Sequence, residues 1–412
     1  MLQTHSRQRE AASQLLPFFQ VLFLTIVFGV NFYLATEQTL ADGTPYCRFF
    51  SDLPHHLDLA RLGLGSAPVQ SHPGLHYATS ILHGLTGVSI EYSAVLILSL
   101  CATVTALLVY RIMSNSLRKD GYGEVGLIVM TGLTLTLSAI YVPFFNEDLY
   151  LGQGSANIWH NPTMTMMKPL SFAAFLLALA AFHRATIRKS WPWCLAAGLV
   201  LAASVVAKPS FAMVFVPALL IFGLLKRKTH YLVKAALVIA PSLPLLTVQY
   251  LAGFGVAAAQ NGATASQLTQ GGDSVVFDFL GVWSSYTPSV PVSLLLGLAF
   301  PLAVLGFRFR AALKNPALAM SWLMTLCGGL QFALLAETRR RAHGNFSWSY
   351  SIALSFLFVY STIEYLKWLR PGQQRSLSEN IALTTTSLLL SLHVVSGLFY
   401  TLRIVTGGSY RW

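Results

Sequence analysis

The chain has 412 residues, of which 54% are hydrophobic and only 10% are charged, and its mean hydropathy is +0.59. A soluble domain carries about 25% charged residues, so this composition excludes a chain of two or three water-soluble domains. The net charge of +12 would suit a nucleic-acid binder, but the cations form short clusters between apolar runs, so no nucleic-acid partner is expected.

Taken in chain order, apolar runs occupy approximately residues 15 to 35, 89 to 113, 125 to 144, 164 to 183, 191 to 207, 210 to 225, 233 to 254, 287 to 307, 316 to 336, 349 to 366 and 380 to 402. Runs of this length predict an all-α polytopic membrane protein of about eleven transmembrane helices, with 1-412 as one transmembrane domain. His5, Arg7 and Arg9 precede the first run without a small-residue cleavage site, which reads as a retained first helix. Cys47, Cys101, Cys194 and Cys327 are scattered singly and form neither a disulfide framework nor a CxxC metal motif.

Short cytoplasmic loops accumulate Lys and Arg. Placing the N-terminus in the cytoplasm and the C-terminus outside puts most of the 27 cations inside, among them Arg111, Arg118, Arg188, Lys226, Arg308, Lys314, Lys367 and Arg370. The outer segments are then 36-88, 145-163, 258-286 and 337-348, and they contain most of the acids and histidines. The third, rich in Gly, Gln and Asn, reads as a mobile loop.

In the first outer loop, Asp52 follows the first span closely, and Asp52, His55 and His56 share one side if the segment is helical, with Asp58 pointing elsewhere. A carboxylate beside a histidine can act as a general base, or such a group can hold a metal; a helix cap with solvated histidines is the alternative. His72 and His76 are spaced i, i+4, which suits a metal but lacks the glutamate of an HExxH site. The apolar stretch from Pro73 to about Leu85 is too short to cross a bilayer and predicts an amphipathic helix along the membrane surface.

The second outer loop combines Glu147, Asp148, Gln153, Asn157, Trp159, His160 and Asn161. Acids, amides, an indole and an imidazole can recognise sugar hydroxyls by hydrogen bonding and a ring face by stacking; Trp159 as an interfacial anchor is the alternative. Lys168 and Lys208 fall just inside outer helix ends, each followed by proline. Each either snorkels to the interface or meets a phosphate. Arg339, Arg340 and Arg341, followed by His343 and Asn345, break the positive-inside pattern, and their guanidinium forks suit a phosphate, pyrophosphate or anionic headgroup.

This layout resembles the GT-C superfamily, the multi-spanning glycosyltransferases that use polyprenyl-phosphate-linked sugars. The likeness rests on a first span, a large outer loop with an early acid at Asp52, the segment His72-Pro73-Gly74-Leu75-His76-Tyr77-Ala78-Thr79, and a second span through Ser93-Ala94-Val95-Leu96. The segments Gly152-Gln153-Gly154-Ser155 and His343-Gly344-Asn345-Phe346-Ser347-Trp348 resemble those of bacterial membrane proteins of this type. The resemblance implies a GT-C-like fold in a bacterial inner membrane, a polyprenyl-phosphate-sugar donor, and a glycan, lipid or protein acceptor in contact with membrane lipid. It also implies Asp52 as the catalytic base of an inverting transfer, with Arg340, Arg341 and Lys208 neutralising the leaving phosphate. Paired acids at the Asp52 position are absent, since Pro54 and His55 follow, so no cofactor is assigned and a divalent metal stays open. A transporter or flippase of a lipid-linked or anionic substrate, and a polysaccharide polymerase or ligase, are the competing readings.

Overall fold

The computed structural model describes residues 2–41, 47–62, 72–254, 274–370 and 374–410. In chain order its helices are α1 (Leu2–Gln38), α2 (Leu53–Arg61), α3 (Gly74–Thr86), α4 (Ile90–Leu117), α5 (Glu124–Thr136), α6 (Pro162–His183), α7 (Ile187–Ala207) and α8 (Ser210–Leu225). There follow α9 (Thr229–Ile239), α10 (Leu243–Phe254), the single turn α11 (Gly281–Ser284), α12 (Val290–Phe307), α13 (Phe309–Lys314), α14 (Pro316–Leu334), α15 (Ser347–Leu369) and α16 (Leu377–Val405).

Among the described residues nine helical spans are long and apolar enough to cross a membrane, α9 and α10 forming one of them, while α5 and α8 are shorter apolar helices. Together these account for every apolar run in the sequence, and the chain is an all-α polytopic membrane protein. The outer helices turn Leu199, Leu220, Leu388 and Leu402 away from the bundle, which suits a lipid solvent as apolar as the side chains themselves. The centre is α15, buried along almost its whole length. Its Phe356 stacks on Phe172 of α6 at 4.3 Å between ring centroids and lies tilted against Phe175 at 4.8 Å. These contacts draw α6 and α15 together beneath the loops that carry the polar residues.

The expected span over 125 to 144 departs from prediction. Its helix stops at Thr136, and the following backbone runs irregular but buried through Ile140. Unwound backbone inside a membrane protein needs internal partners, and distant side chains supply them here. Asn157 donates to the Leu137 carbonyl at 2.9 Å, Ser396 Oγ accepts from Tyr141 N at 3.0 Å, and His393 Nδ1 meets the Ser138 carbonyl at 2.7 Å. Since His393 Nε2 accepts from Phe300 N, the imidazole proton is on Nδ1. Gly397 lies against the Thr136 carbonyl where any Cβ would collide, so α16 can only pack here without a side chain at that position.

Two strands were not legible in the sequence. β1 (Val275–Phe277) pairs antiparallel with β2 (Leu335–Glu337), Val276 opposite Ala336. The expected mobile loop over 258–286 lies in part outside the described residues; from Ser274 onward it is instead built into this ribbon and the α11 turn. The basic segment 337–348 likewise starts as strand and continues as a 3₁₀ turn at Arg341–His343.

The surface helix is present as α3. It buries Gly74, Leu75, His76 and Thr79 and exposes Ile81 and Leu85 further along. Gly74 sits so close to Ala207 at the end of α7, 2.9 Å from where a Cβ would stand, that only glycine lets α3 begin there.

Candidate active site

Two prolines shape the site. Pro209 disfavours helical backbone at the residue before it, so α7 ends and Lys208 is extended, with φ −168° and ψ 132°. Pro162 does the same to Asn161 (φ −108°, ψ 99°) while serving as the first residue of α6. Both side chains are thereby turned off their helices toward one place.

Asn161 joins them. Its Oδ1 accepts from Lys208 Nζ at 3.0 Å, from Thr163 Oγ1 at 2.9 Å and from Met164 N at 3.0 Å. Three donors on one atom identify it as the oxygen of the amide. The nitrogen Nδ2 is then the atom that donates to Asp52 Oδ2 at 3.1 Å. A carboxylate and an ammonium are held on opposite ends of one buried amide, two hydrogen bonds apart. Lys208 also donates to Thr163 Oγ1 at 3.2 Å and lies 4.8 Å from the Trp348 ring centroid, a cation–π contact at the start of α15.

Asp52 occupies the position before α2, yet its side chain makes no capping bond. Its backbone N–H instead donates to the His160 carbonyl at 3.0 Å, which also accepts from Ser51 Oγ at 3.0 Å. The carboxylate is half-buried, and among the described residues nothing donates to its second oxygen. The His160 ring is packed among Tyr410 (4.9 Å), Phe50 (5.4 Å) and Trp348 (5.6 Å) and meets the Tyr150 hydroxyl at 3.0 Å. Burial holds its pKa down at about 4, opposed by the Asp52 charge and helped by Lys208. It is a neutral wall of the site at physiological pH.

The helical spacing of Asp52, His55 and His56 is present, with His56 N–H donating to the Asp52 carbonyl at 3.3 Å, but the two histidines have different surroundings. In α2, His55 is exposed and His56 turns inward, where His56 Nδ1 meets His76 Nε2 at 2.7 Å. His72 joins them, its ring 6.3 Å from that of His56. Burial pushes His56 down to about 2, with His76, His72, Lys208 and His55 adding to it, and pushes His72 to about 3 and His76 to about 4. Lys208 and Arg340 both act on His72, so the cluster adjoins the cationic side of the site.

The histidines do not fit a metal. Two nitrogens on one tetrahedral zinc stand about 3.3 Å apart, whereas His56 and His76 are close enough for a direct hydrogen bond. Among the described residues no three His, Cys, Asp or Glu side chains converge as ligands.

Other expected site residues lie elsewhere. Asp58 pairs with Arg61 at 2.6 Å on the surface, and Glu147 is exposed. Asp148 is half-buried, with its N–H donating to Asn146 Oδ1 at 3.1 Å. Gln153 and Asn157 are buried; Gln153 Oε1 accepts from Asn146 at 3.2 Å, while Asn157 supports the unwound segment after α5. Neither amide is hydrogen-bonded to Asp52. Trp159 is tied through its backbone, its carbonyl accepting from Gln38 at 2.9 Å. Lys168 donates to the Ala156 carbonyl at 3.1 Å and Asn157 Oδ1 at 3.2 Å, inside the bundle rather than at the site.

In the basic segment, Arg341 forms a fork with Asp278, at 2.7 and 3.2 Å. Arg340 lies 3.2 Å from Glu337, whose carboxylate also accepts from Asn345 at 2.6 Å. Arg339 and His343 are exposed. Reading the sequence missed Thr163, Trp348, Phe50 and Tyr410 as site residues. Trp348 and Thr163 were visible in polar segments, but nothing marked Phe50 or Tyr410, whose aromatic contacts join the first loop to the C-terminal tail.

No protein-family model and no curated protein matches the sequence. Among solved structures, the apo oligosaccharyltransferase of Archaeoglobus fulgidus superposes with TM-score 0.52 and 12% identity over 95% of this chain and 56% of its own. ArnT from Cupriavidus metallidurans, bound to undecaprenyl phosphate, superposes with TM-score 0.49 and 13% identity over 94% of this chain and 77% of its own, a score too low to carry a fold assignment. The chain thus spans little more than half the length of the archaeal oligosaccharyltransferase. The likeness to the archaeal oligosaccharyltransferase is one of fold.

Proposed function

We propose that the chain is a glycosyltransferase that moves a sugar from a polyprenyl-phosphate-linked donor to a glycan, lipid or protein acceptor, with inversion. The observation that carries this reading is the Asp52–Asn161–Lys208 array, a base and a phosphate-neutralising cation held by one amide at one end of the bundle.

In the proposed reaction, the free oxygen of Asp52 takes the proton of an acceptor hydroxyl. The hydroxyl oxygen bonds to the anomeric carbon as the bond from that carbon to the phosphate oxygen breaks, and the electron pair leaves on the lipid phosphate. Phosphate is a good leaving group, so the cation's task is to neutralise it rather than to protonate it. Lys208 serves, with Arg340 beyond the histidine cluster. The buried histidines stay neutral and add no competing charge. The carboxylate does not quench the ammonium, because Asn161 separates the two and satisfies both. No step runs through a metal.

The test is to incubate the purified, reconstituted chain with a labelled polyprenyl-phosphate sugar and a membrane-glycan extract, and to follow label into the acceptor fraction. Transfer by the wild type and its loss in Asp52→Asn supports the reading. Label that crosses the bilayer unchanged, with no transfer, would replace it by lipid-linked transport.

A further inference from the structure

The bundle has a second polar feature at the end away from Asp52. α6 is 22 residues long and runs from Pro162 beside Asn161 to His183, so its far end lies about 33 Å from the site at 1.5 Å per residue. There a cavity of about 620 Å³ opens between α4, α6, α13, α14 and α15, within the size range of small-molecule sites.

Its polar lining includes Arg111 from α4, His183, Lys314 at the end of α13, and Tyr360, Glu364 and Lys367 on successive turns of α15. Glu364 is the one acid among them, and it is buried and lies 3.6 Å from Arg308. Arg111, Lys314 and Lys367 have no carboxylate partner among the described residues. Three cations line one space whose single acid, Glu364, is taken up by Arg308, and an anion between them relieves their mutual repulsion. Most of the remaining wall is apolar, with Ile112, Leu176, Leu179 and Ile363 beside the neutral polar Asn115, Ser116 and Asn315. A soluble anion gains nothing from such a wall, whereas a lipid can lay the start of an acyl chain along it.

We propose that this cavity binds the phosphate of an anionic membrane lipid, with Arg111, Lys314 and Lys367 around the headgroup. The cations lie at the end that the charge pattern reads as cytoplasmic, where membrane surfaces are rich in anionic lipid and a basic pocket between helices is a headgroup site. The chemistry recognised is a phosphate anion; the apolar wall assigns it to a lipid rather than to free phosphate. The site is independent of sugar transfer.

The full chain is reconstituted in nanodiscs of phosphatidylcholine with a minority of phosphatidylglycerol, and retained lipid is counted by native mass spectrometry. The wild type is expected to retain phosphatidylglycerol selectively, and Arg111→Gln, Lys314→Gln and Lys367→Gln each to weaken that retention about fivefold. A control variant with Arg188, Lys189 and Arg227 changed to Gln should retain it like the wild type. Equal loss in the control means bulk surface charge and overturns the site, as does full retention in the three cavity variants. Displacement of the lipid by millimolar inorganic phosphate overturns the lipid assignment. If the cavity variants fail to fold, a photoreactive phosphatidylglycerol on the wild type decides: labelling of α4 and α15 peptides around Arg111 and Lys367 is expected, and labelling confined to other helices overturns the proposal.

Discussion

The side-chain amide of Asn161 stands 3.1 Å from the Asp52 carboxylate, and its orientation is forced because three donors occupy its oxygen. Asp52 therefore faces an N–H rather than a lone pair. One residue of the second loop sets both the position of the acid and the partner of the buried Lys208 ammonium.

Asn161→Ala should cut transfer by at least tenfold and lower stability by about 1–3 kcal/mol, because it leaves a buried ammonium short of an acceptor and removes the cap of α6. Asn161→Ser retains a capping oxygen and should recover most of the stability but not the activity. Thermal unfolding beside transfer assays separates the two effects, and full activity in the serine variant would show that the bridge is dispensable.

Lys168 and Lys208 looked alike in the sequence, since each precedes a proline near a helix end. The structure separates them, and so should kinetics. Lys208→Met should raise the donor KM, with a smaller effect on the acceptor. Lys168→Met removes the donor to Ala156 and Asn157 and should lower stability by about 1–3 kcal/mol with the donor KM unchanged. A matching rise in donor KM for Lys168→Met would return that residue to the phosphate site.

Arg340 and Arg341 should also differ. Arg341 is engaged by Asp278 across the β1–α11 junction, whereas Arg340 acts electrostatically on His72 beside Lys208. Arg340→Ala is expected to raise the donor KM more than Arg341→Ala, measured by titrating the lipid-linked sugar at saturating acceptor. The reverse order would move the phosphate toward Asp278.

The buried histidines give stability a pH dependence of defined sign. His56, His72 and His76 titrate near about 2, 3 and 4 when folded and near 6.5 when unfolded. Between those limits the unfolded chain binds more protons, so stability falls as pH drops below about 6.5, by up to about 1.4 kcal/mol per pH unit for each histidine that stays neutral. Melting temperature in detergent should decline from pH 6.5 to 5, and the decline should be shallower in His56→Gln/His76→Gln. An unchanged slope would mean that other groups control acid stability.

The bundle was legible because lipid imposes a simple rule: a helix that crosses must be apolar over about 20 residues, and the runs in this chain obey it. The break after Thr136 was not, because the residues that permit it, Asn157, His393 and Ser396, are remote in sequence and lie in or beside other apolar spans. A three-residue strand such as Val275–Phe277 carries no readable period, and its partner is some 60 residues away. At the site, Asp52 stood out as an acid close behind a span. The bridge through Asn161 depends on two proline-ended backbones meeting, which spacing alone does not reveal. The inward turn of His56 depends likewise on α3 packing over α2, where Ser80 Oγ donates to the Ala60 carbonyl at 2.7 Å.

The role of Asp52 is tested most directly by the kcat of Asp52→Asn. Asparagine keeps the shape and an acceptor for Asn161, so the variant should fold and bind donor normally. Loss of the base should lower kcat by about 10²–10⁴, with melting temperature and donor KM close to wild type. A folded Asp52→Asn protein that transfers sugar at the wild-type rate would contradict the assignment.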